Sequence, residues 1–408
     1  MSKQGSAHQG ATRDQERVAV GETLEVEIER ILPGGAGLAH ACGHTILVAL
    51  AAPGDRLRVR IERRRGSVAF ASITQILKPS VARVEPPCPY FGRCGGCDFQ
   101  QLTYEAQLAA KVEIIRDCLR RIARIEPSEH LPITPAPAAW RYRSRARWQY
   151  DPNRGRLGYY ELASHRVVDV VECPVIVPAL QEKLTALRAG MQAHTLPENA
   201  DEFQAVTGDD GVSLAPPTSE DEASERARVI GGEHYRFDAD CFFQINHQLL
   251  EPLIREAIRD EHGEMALDLY CGVGLFTLPL ARRFTRVVAV EGSPTSAEFA
   301  RRNLAAARLT NARIQTAHVG EWFSRQDSSL PPIDFLLLDP PRAGAEPEAI
   351  NGILSLRPRR ISYVSCDPAT LARDLRSLTT HGYRLDSVAA FDLFPQTHHV
   401  ETIARLTC

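Results

Sequence analysis

Four short stretches in the C-terminal part of the chain have residue types that can do chemistry at the end of a strand. In Ile361-Ser-Tyr-Val-Ser-Cys-Asp-Pro368 an apolar run delivers Cys366 to a turn. A cysteine so placed is a nucleophile if its thiolate is stabilised, although a buried structural thiol is the commoner use of the residue. In Leu336-Leu-Leu-Asp-Pro-Pro-Arg342 a second apolar run ends at Asp339, and two prolines make its exit rigid. That puts a carboxylate at the C-terminal edge of a sheet, where open α/β folds bind their ligands. In Leu267-Asp-Leu-Tyr-Cys-Gly-Val-Gly-Leu-Phe276 a strand runs into a glycine turn. Glycine lets the backbone approach a ligand closely, with a helix N-terminus behind it. Glu291, 23 residues beyond Asp268, stands where an acid accepts hydrogen bonds from ribose hydroxyls in nucleoside-cofactor folds. The third glycine of the dinucleotide fingerprint is missing, which argues against a pyrophosphate ligand. The fourth stretch, Phe394-Pro-Gln-Thr-His-His-Val-Glu401, is a polar cluster at a strand turn. Glu401 has the chemistry of a general base there, a solvated carboxylate being the default alternative.

Cys88, Cys94 and Cys97 fall close together, with Gly95 and Gly96 between the last two. Glycines permit tight wrapping, and three thiols at this spacing point to a metal or iron–sulfur site. A fourth ligand is needed, and Cys173 in Val-Glu-Cys-Pro-Val is the best distant candidate. The spacing does not choose between iron and zinc. Two basic segments suggest a polyanion. Six arginines lie between positions 56 and 65, as a solvated edge or an RNA contact. In Trp140-Arg-Tyr-Arg-Ser-Arg-Ala-Arg-Trp148 a period of two puts Arg141, Arg143, Arg145 and Arg147 on one strand face. Trp140, Tyr142 and Trp148 share the other. Such a strand is expected to bury its aromatics and present four guanidinium groups to phosphate.

The elements that must position these residues fall into blocks. Residues 1–16 are polar, without period, and predict a disordered arm. Leu24, Val26 and Ile28 then alternate with Glu25, Glu27 and Glu29, and similar runs follow at 45–51, 56–62 and 68–76 between glycine turns. This predicts a small β-barrel over residues 17–80. Residues 81–240 are expected to form a central α+β domain. It holds the cysteine cluster, a helix over 104–125, a proline-rich linker over 127–137, the arginine strand, and an acidic loop or insertion over 198–225. Over 241–408, apolar runs at 266–270, 287–290, 313–316, 333–338 and 361–364 alternate with helical segments. That is the sign of a parallel, doubly wound α/β sheet. Runs at 387–394 and 399–406 are expected to close it as an antiparallel hairpin.

A length of 408 residues, 44% hydrophobic and 24% charged, suits a soluble chain of several domains. No apolar run approaches the ~20 residues of a membrane span, and residues 1–16 lack the apolar core of a secretory signal. The expectation is therefore a cytoplasmic protein with no membrane partner, its ten cysteines reduced. With a net charge of −3, a nucleic acid must be met by local basic patches.

With these motifs in place, the chain resembles the class I S-adenosylmethionine-dependent RNA (uracil-5-)-methyltransferases. It is most similar to the bacterial 23S rRNA members that combine an N-terminal TRAM domain with a [4Fe–4S] cluster. The resemblance runs from about residue 20 to 406 and rests on Cys88-x5-Cys94-x2-Cys97, Phe243-Gln-Ile-Asn246, Asp268 to Gly274, Asp339-Pro-Pro-Arg342, Ser365-Cys-Asp-Pro-Ala-Thr370, and Phe394 to Glu401. It implies a TRAM-like barrel, a central iron–sulfur and RNA-binding domain, and a Rossmann-like methyltransferase domain. It further implies that Cys88, Cys94, Cys97 and Cys173 hold the cluster, and that Gln244, Tyr270, Glu291 and Asp339 bind S-adenosylmethionine. Cys366 would then be the nucleophile that adds to uracil C6, and Glu401 the base that removes the C5 proton. The implied partner is RNA, 23S rRNA ahead of a tRNA uridine, acted on by a monomer. A non-catalytic iron–sulfur RNA-binding protein is the alternative of another class, and would be expected to lack Cys366 or Glu401. Leu275 and His318 stand where the family often has asparagine, so cofactor contacts are expected to differ there.

Overall fold

The alternation after residue 22 forms strands β1 (Thr23–Glu27) and β2 (Arg30–Ile31), followed by β3 (Gly37–Ala41), β4 (His44–Val48), β5 (Arg56–Arg65) and β6 (Val68–Lys78). In this computed structural model residues 18–197, 199–218, 225–325 and 330–408 are described. The arm expected over 1–16 lies outside them. The six strands make one sheet in the order β1-β5-β6-β4-β3-β2. Because β1 runs through Ile28 and Glu29 directly into β2, both ends of that order lie on one piece of chain. The sheet thus closes as the expected barrel. Leu57, Val59 and Ile61 are buried inside it with Val26, Ile28 and Ile46, while Arg56 and Arg60, on the alternate positions, are exposed. Arg58 pairs with Glu25 at 2.8 Å, and the Arg63 guanidinium lies 3.7 Å from the Phe70 ring centroid.

The chain divides after Arg83 into two units. The second begins with helix α1 (Tyr104–Cys118), capped by Thr103, whose hydroxyl accepts from the Ala106 amide. Strands β7 (Ile133–Thr134), β8 (Arg145–Asp151), β9 (Arg156–Tyr160) and β10 (Val167–Asp169) follow, then helix α2 (Pro178–Gln192) and strands β11 (Glu202–Thr207) and β12 (Val212–Ala215). A hairpin of β13 (Arg226–Ile230) and β14 (Glu233–Phe237) leads through α3 (Leu250–Ile258) into the alternating part. There the order is β15 (Gly263–Leu269), α4 (Thr277–Ala281), β16 (Phe284–Glu291), α5 (Pro294–Ala306), β17 (Ala312–Thr316), α6 (Val319–Arg325), β18 (Phe335–Leu338), α7 (Pro347–Leu356), β19 (Arg360–Ser365), α8 (Pro368–Thr380), β20 (Arg384–Phe391) and β21 (Glu401–Thr407). Eight strands form one sheet, β17-β16-β15-β18-β19-β21-β20-β7. Strands β15 to β19 are parallel, and β20 and β21 form the expected antiparallel hairpin. Strand order reverses between β15 and β18, the position at which doubly wound sheets open a ligand crevice. No helix of the described residues is long and apolar enough to cross a membrane.

Three expectations are corrected here. The proline-rich tract is not a free linker: Ile133 and Thr134 pair with Ala390 and Phe391 at the sheet edge, a place that tolerates neighbouring prolines. The acidic segment over 198–225 is not simply a loop. Phe203, Ala205 and Leu214 are buried on β11 and β12, and Glu202 pairs with Arg147 at 2.5 Å. The arginine strand does not present a comb of four cations. Arg145 donates to the carbonyls of Ala239 (2.8 Å) and Cys241, Arg147 is held by Glu202, and Arg143 lines an internal recess. Its Tyr142 and Trp148 are buried as expected, but Trp140 is only half-buried, because residues 140–144 lie before the strand begins and Arg141 has φ +52°. Period alone says which side chains share a face, not what packs over it.

Candidate active site

Three of the chemical stretches end parallel strands at the C-terminal edge of the large sheet, and the fourth is the β20–β21 turn, which starts β21 at Glu401 on the same edge. Asp268, one residue before the end of β15, is fully buried, and its Oδ2 accepts from the Thr277 hydroxyl at 2.5 Å. Its Oδ1 has no partner, and burial raises the carboxyl to about 7. The turn beyond needs left-handed backbone at Gly272 (φ +57°) and Gly274 (φ +95°), and open space lies where a Gly272 Cβ would stand. Glu291, at the end of β16, accepts from the backbone amides of Gly272 (2.8 Å) and Ser293 (2.7 Å). Its carboxylate is therefore aimed by the glycine turn. Tyr270 sits in the same turn and bonds to Glu346, and Glu346 and His318 line one open recess. His318 packs beside Gly292, 3.1 Å from where a Cβ would stand. Leu275 instead turns into the core, with 6% of its surface exposed.

Asp339 leaves β18 opposite this turn, its amide donating to the Leu269 carbonyl at 3.3 Å. Gln244 donates to its Oδ2 at 3.1 Å, so the Phe243-Gln-Ile-Asn246 segment reaches the same crevice. Burial raises Asp339 to about 7 against that hydrogen bond. Cys366 follows β19 and precedes Asp367, which caps α8 by accepting from the amides of Ala369 and Thr370, both at 2.9 Å. Strands β19 and β21 pair antiparallel, with Ser365 across from Thr402. The next residues along the two strands are Cys366 and Glu401, close enough to act on one another electrostatically. Glu401 is 1% exposed, with Oε1 unpartnered. Burial, reinforced by Asp339, holds its carboxyl well above the usual range, and Arg342 opposes the rise. Burial likewise pushes the Cys366 thiol up to about 12, with Glu401 and Asp339 adding and Arg342 opposing. A thiol, two carboxyls and one guanidinium thus act on one another at the strand ends.

The sequence pattern of the tRNA (Uracil-5-)-methyltransferase family matches residues 218–407, and that of the TRAM domain matches residues 17–74. The 23S rRNA (uracil(1939)-C(5))-methyltransferase RlmD of Alkalilimnicola ehrlichii is 34% identical over 94% of this chain and 96% of its own. The same enzyme of Vibrio parahaemolyticus is 32% identical over 93% and 94%. The chain belongs to the RNA (uracil-5-)-methyltransferase family. A solved tRNA (uracil-54, C5)-methyltransferase of Pyrococcus abyssi, in complex with S-adenosyl-L-homocysteine, superimposes with a TM-score of 0.72 at 26% identity. It covers 94% of this chain and 100% of its own. As an RNA (uracil-5-)-methyltransferase, the protein is an enzyme with a TRAM barrel and a Rossmann-like domain.

In this methyltransferase the four cysteines named from the sequence also meet. Cys88, Cys94, Cys97 and Cys173 line one recess with Arg143 and Tyr159. The Gly95 amide donates to the Tyr160 carbonyl at 2.9 Å, and the Cys173 amide to Gln181 at 3.0 Å, fixing both ends of the set. Burial pushes Cys94 up to about 11 and Cys97 to about 12. Among the described residues no three His, Cys, Asp or Glu side chains converge closely enough to hold a single metal ion. Sequence reasoning missed Arg342 as the cation beside Cys366 and Glu401, and the polar residues of α1 described below. Both act through partners far away in the chain, which local patterns do not reveal.

Proposed function

We propose that this enzyme transfers a methyl group to C5 of a uridine in 23S rRNA, using Cys366 as nucleophile and Glu401 as base. The observation that carries this reading is the β19–β21 pairing, whose last pair, Ser365 and Thr402, is followed by Cys366 and Glu401, with Asp339 near enough to act on both. S-adenosylmethionine supplies an electrophilic methyl group when bound. The residues present fit it: the Glu291 carboxylate suits ribose hydroxyls, the open Gly272 turn leaves room for it, and Asp339 with Gln244 stands at the crevice. Uracil C5 is a poor nucleophile on its own. Addition of the Cys366 thiolate to C6 would move the ring π electrons into an enolate, whose C5 would take the methyl group as its bond to the sulfonium sulfur breaks and S-adenosyl-L-homocysteine is left. Glu401 takes the C5 proton, and the sulfur–C6 bond breaks to restore the ring. Free of ligands, burial disfavours both required anions. A cation placed among these carboxyls favours ionisation of Cys366 and Glu401, and Arg342 already pulls that way. The uridine must be splayed out of folded RNA to reach this pocket.

The likeness to RlmD supports rRNA as the target, and the likeness to the Pyrococcus enzyme favours a tRNA uridine as the second reading. Mass spectrometry of both RNAs from cells lacking the gene decides between them. One 5-methyluridine should vanish from 23S rRNA and return with the gene. Loss from tRNA alone would select the second reading, and no loss from either would end both.

We also assign residues 17–80 to the TRAM-like barrel, 81–240 to a central iron–sulfur and RNA-binding domain and 241–408 to the methyltransferase domain. The recess is assigned a [4Fe–4S] cluster on Cys88, Cys94, Cys97 and Cys173. A single zinc needs all its sulfurs at ~2.3 Å from one point, whereas a cluster spreads its four thiolates around a larger body. Arg143 adds support. It is largely enclosed, and among the described residues no carboxylate forms an ion pair with it. A buried cation without a counter-ion is costly, and a thiolate-ligated cluster is anionic. Protein purified without oxygen should be brown and contain about four irons per chain. Colourless protein with one zinc would overturn the assignment.

A further inference from the structure

The turn that delivers Glu401, residues 392–400, is held almost entirely by residues 98–142. Asp98 follows Cys97 directly, and its two carboxylate oxygens accept from the His398 amide (2.9 Å) and meet His398 Nδ1 (2.5 Å). The amides of Asp98 and Phe99 both donate to the Gln396 carbonyl, at 3.1 and 3.0 Å. Gln107 and Lys111, one turn apart on α1 and both buried, grip the same turn. Gln107 bonds reciprocally with Gln396: its Nε2 donates to Gln396 Oε1 at 3.0 Å, and its Oε1 accepts from the Gln396 amide at 2.9 Å. Lys111 pairs with Asp392 and donates to the Phe394 carbonyl at 3.0 Å. Tyr142 adds a hydrogen bond to the Pro395 carbonyl at 2.9 Å. The clamp closes on strained backbone, since Gln396 has φ +67°. A side chain held in the left-handed region persists only where its surroundings fix it.

We propose that Asp98 and Gln107 are positioning residues for the base step, holding the 392–400 turn so that Glu401 faces uracil C5. The proposal rests on Glu401 being that base. Neither residue touches the crevice residues Glu291, Asp339 or Gln244, so cofactor binding and the Cys366 addition do not depend on them. Loosening the turn therefore slows proton removal specifically. The enzyme then stalls as the methylated covalent adduct, before the sulfur–C6 bond can break. The route also joins the cysteine recess to the base, because Cys97 and Asp98 are neighbours in the chain.

Asp98→Ala and Gln107→Met are the test variants of the full-length protein, with Glu401→Gln as reference. Each is mixed with substrate RNA and S-adenosylmethionine carrying a labelled methyl group, and run on denaturing gels. Both should turn over at least tenfold more slowly than wild type and accumulate a labelled protein–RNA band, with S-adenosylmethionine affinity unchanged. Asp98→Asn keeps an acceptor for the His398 amide and should recover most of the turnover. Adduct in Glu401→Gln but wild-type turnover in both clamp variants would overturn the proposal alone. So would a loss of turnover without adduct, or failure of both variants to fold, since either makes these contacts merely structural. No adduct in Glu401→Gln would remove the base assignment itself, and the clamp proposal with it.

Discussion

Cys366→Ala should bind S-adenosylmethionine and RNA as wild type does, transfer no measurable methyl group and form no covalent adduct. The loss should reach about a thousandfold or more, equivalent to about 4 kcal/mol of transition-state stabilisation. The reason is specific to the chemistry. Without addition at C6 no enolate forms, and uracil C5 has little nucleophilicity of its own. Folding should survive, because Cys366 is only partly buried and its neighbours on β19 and α8 are fixed by other bonds, such as the Asp367 cap. Wild-type protein mixed with 5-fluorouridine RNA should give a band stable to denaturing gels, since fluorine at C5 cannot leave as a proton does. The alanine variant should give none. Methylation retained by Cys366→Ala would make Cys366 a structural cysteine and move the nucleophile elsewhere.

Much of this site was legible in the sequence because of where it lies. Parallel strands covered on both faces read as short apolar runs, so the ends of those runs locate Asp268, Asp339 and Cys366 with little ambiguity. Glu401 was placed at a strand turn, but its meeting with Cys366 needed the register of β19 on β21, which no local pattern holds. The arginine strand shows the opposite case. Burial of Tyr142 and Trp148 follows the period, but Trp140 is only half-buried, and Arg145 and Arg147 are consumed by carbonyls and a carboxylate from residues 202–241, and Arg143 by the cysteine recess. Gln107 and Lys111 look like ordinary polar helix positions. Their partners lie 289 and 281 residues away, so only the fold reveals that they are buried. The short strand at Ile133–Thr134 was hidden for another reason: two residues give no period to detect.

Glu401→Gln should have two effects that no solvated glutamate would produce together. The amide keeps the shape of the side chain but cannot take the C5 proton. Addition and methyl transfer then proceed while elimination stalls, and the labelled adduct accumulates. The second effect is a gain in stability whose sign follows from the carboxyl itself. Burial and Asp339 hold Glu401 protonated in the folded protein well above its unfolded range. Below the unfolded pKa, about 4.3, both states carry the proton and the substitution changes nothing. Above it the unfolded chain ionises and the folded one does not. Wild-type stability therefore falls with rising pH until the folded pKa is reached, by about 1.4 kcal/mol for each unit by which that pKa is raised. Asp268 and Asp339, both raised to about 7, lean the same way. Thermal melts should accordingly show Glu401→Gln matching wild type near pH 4 and exceeding it at about pH 8. A buried acid kept at a cost in stability is what a base awaiting its substrate requires. Equal melting temperatures at both pH values would place Glu401 in solvent, and a missing adduct would take the proton transfer away from it.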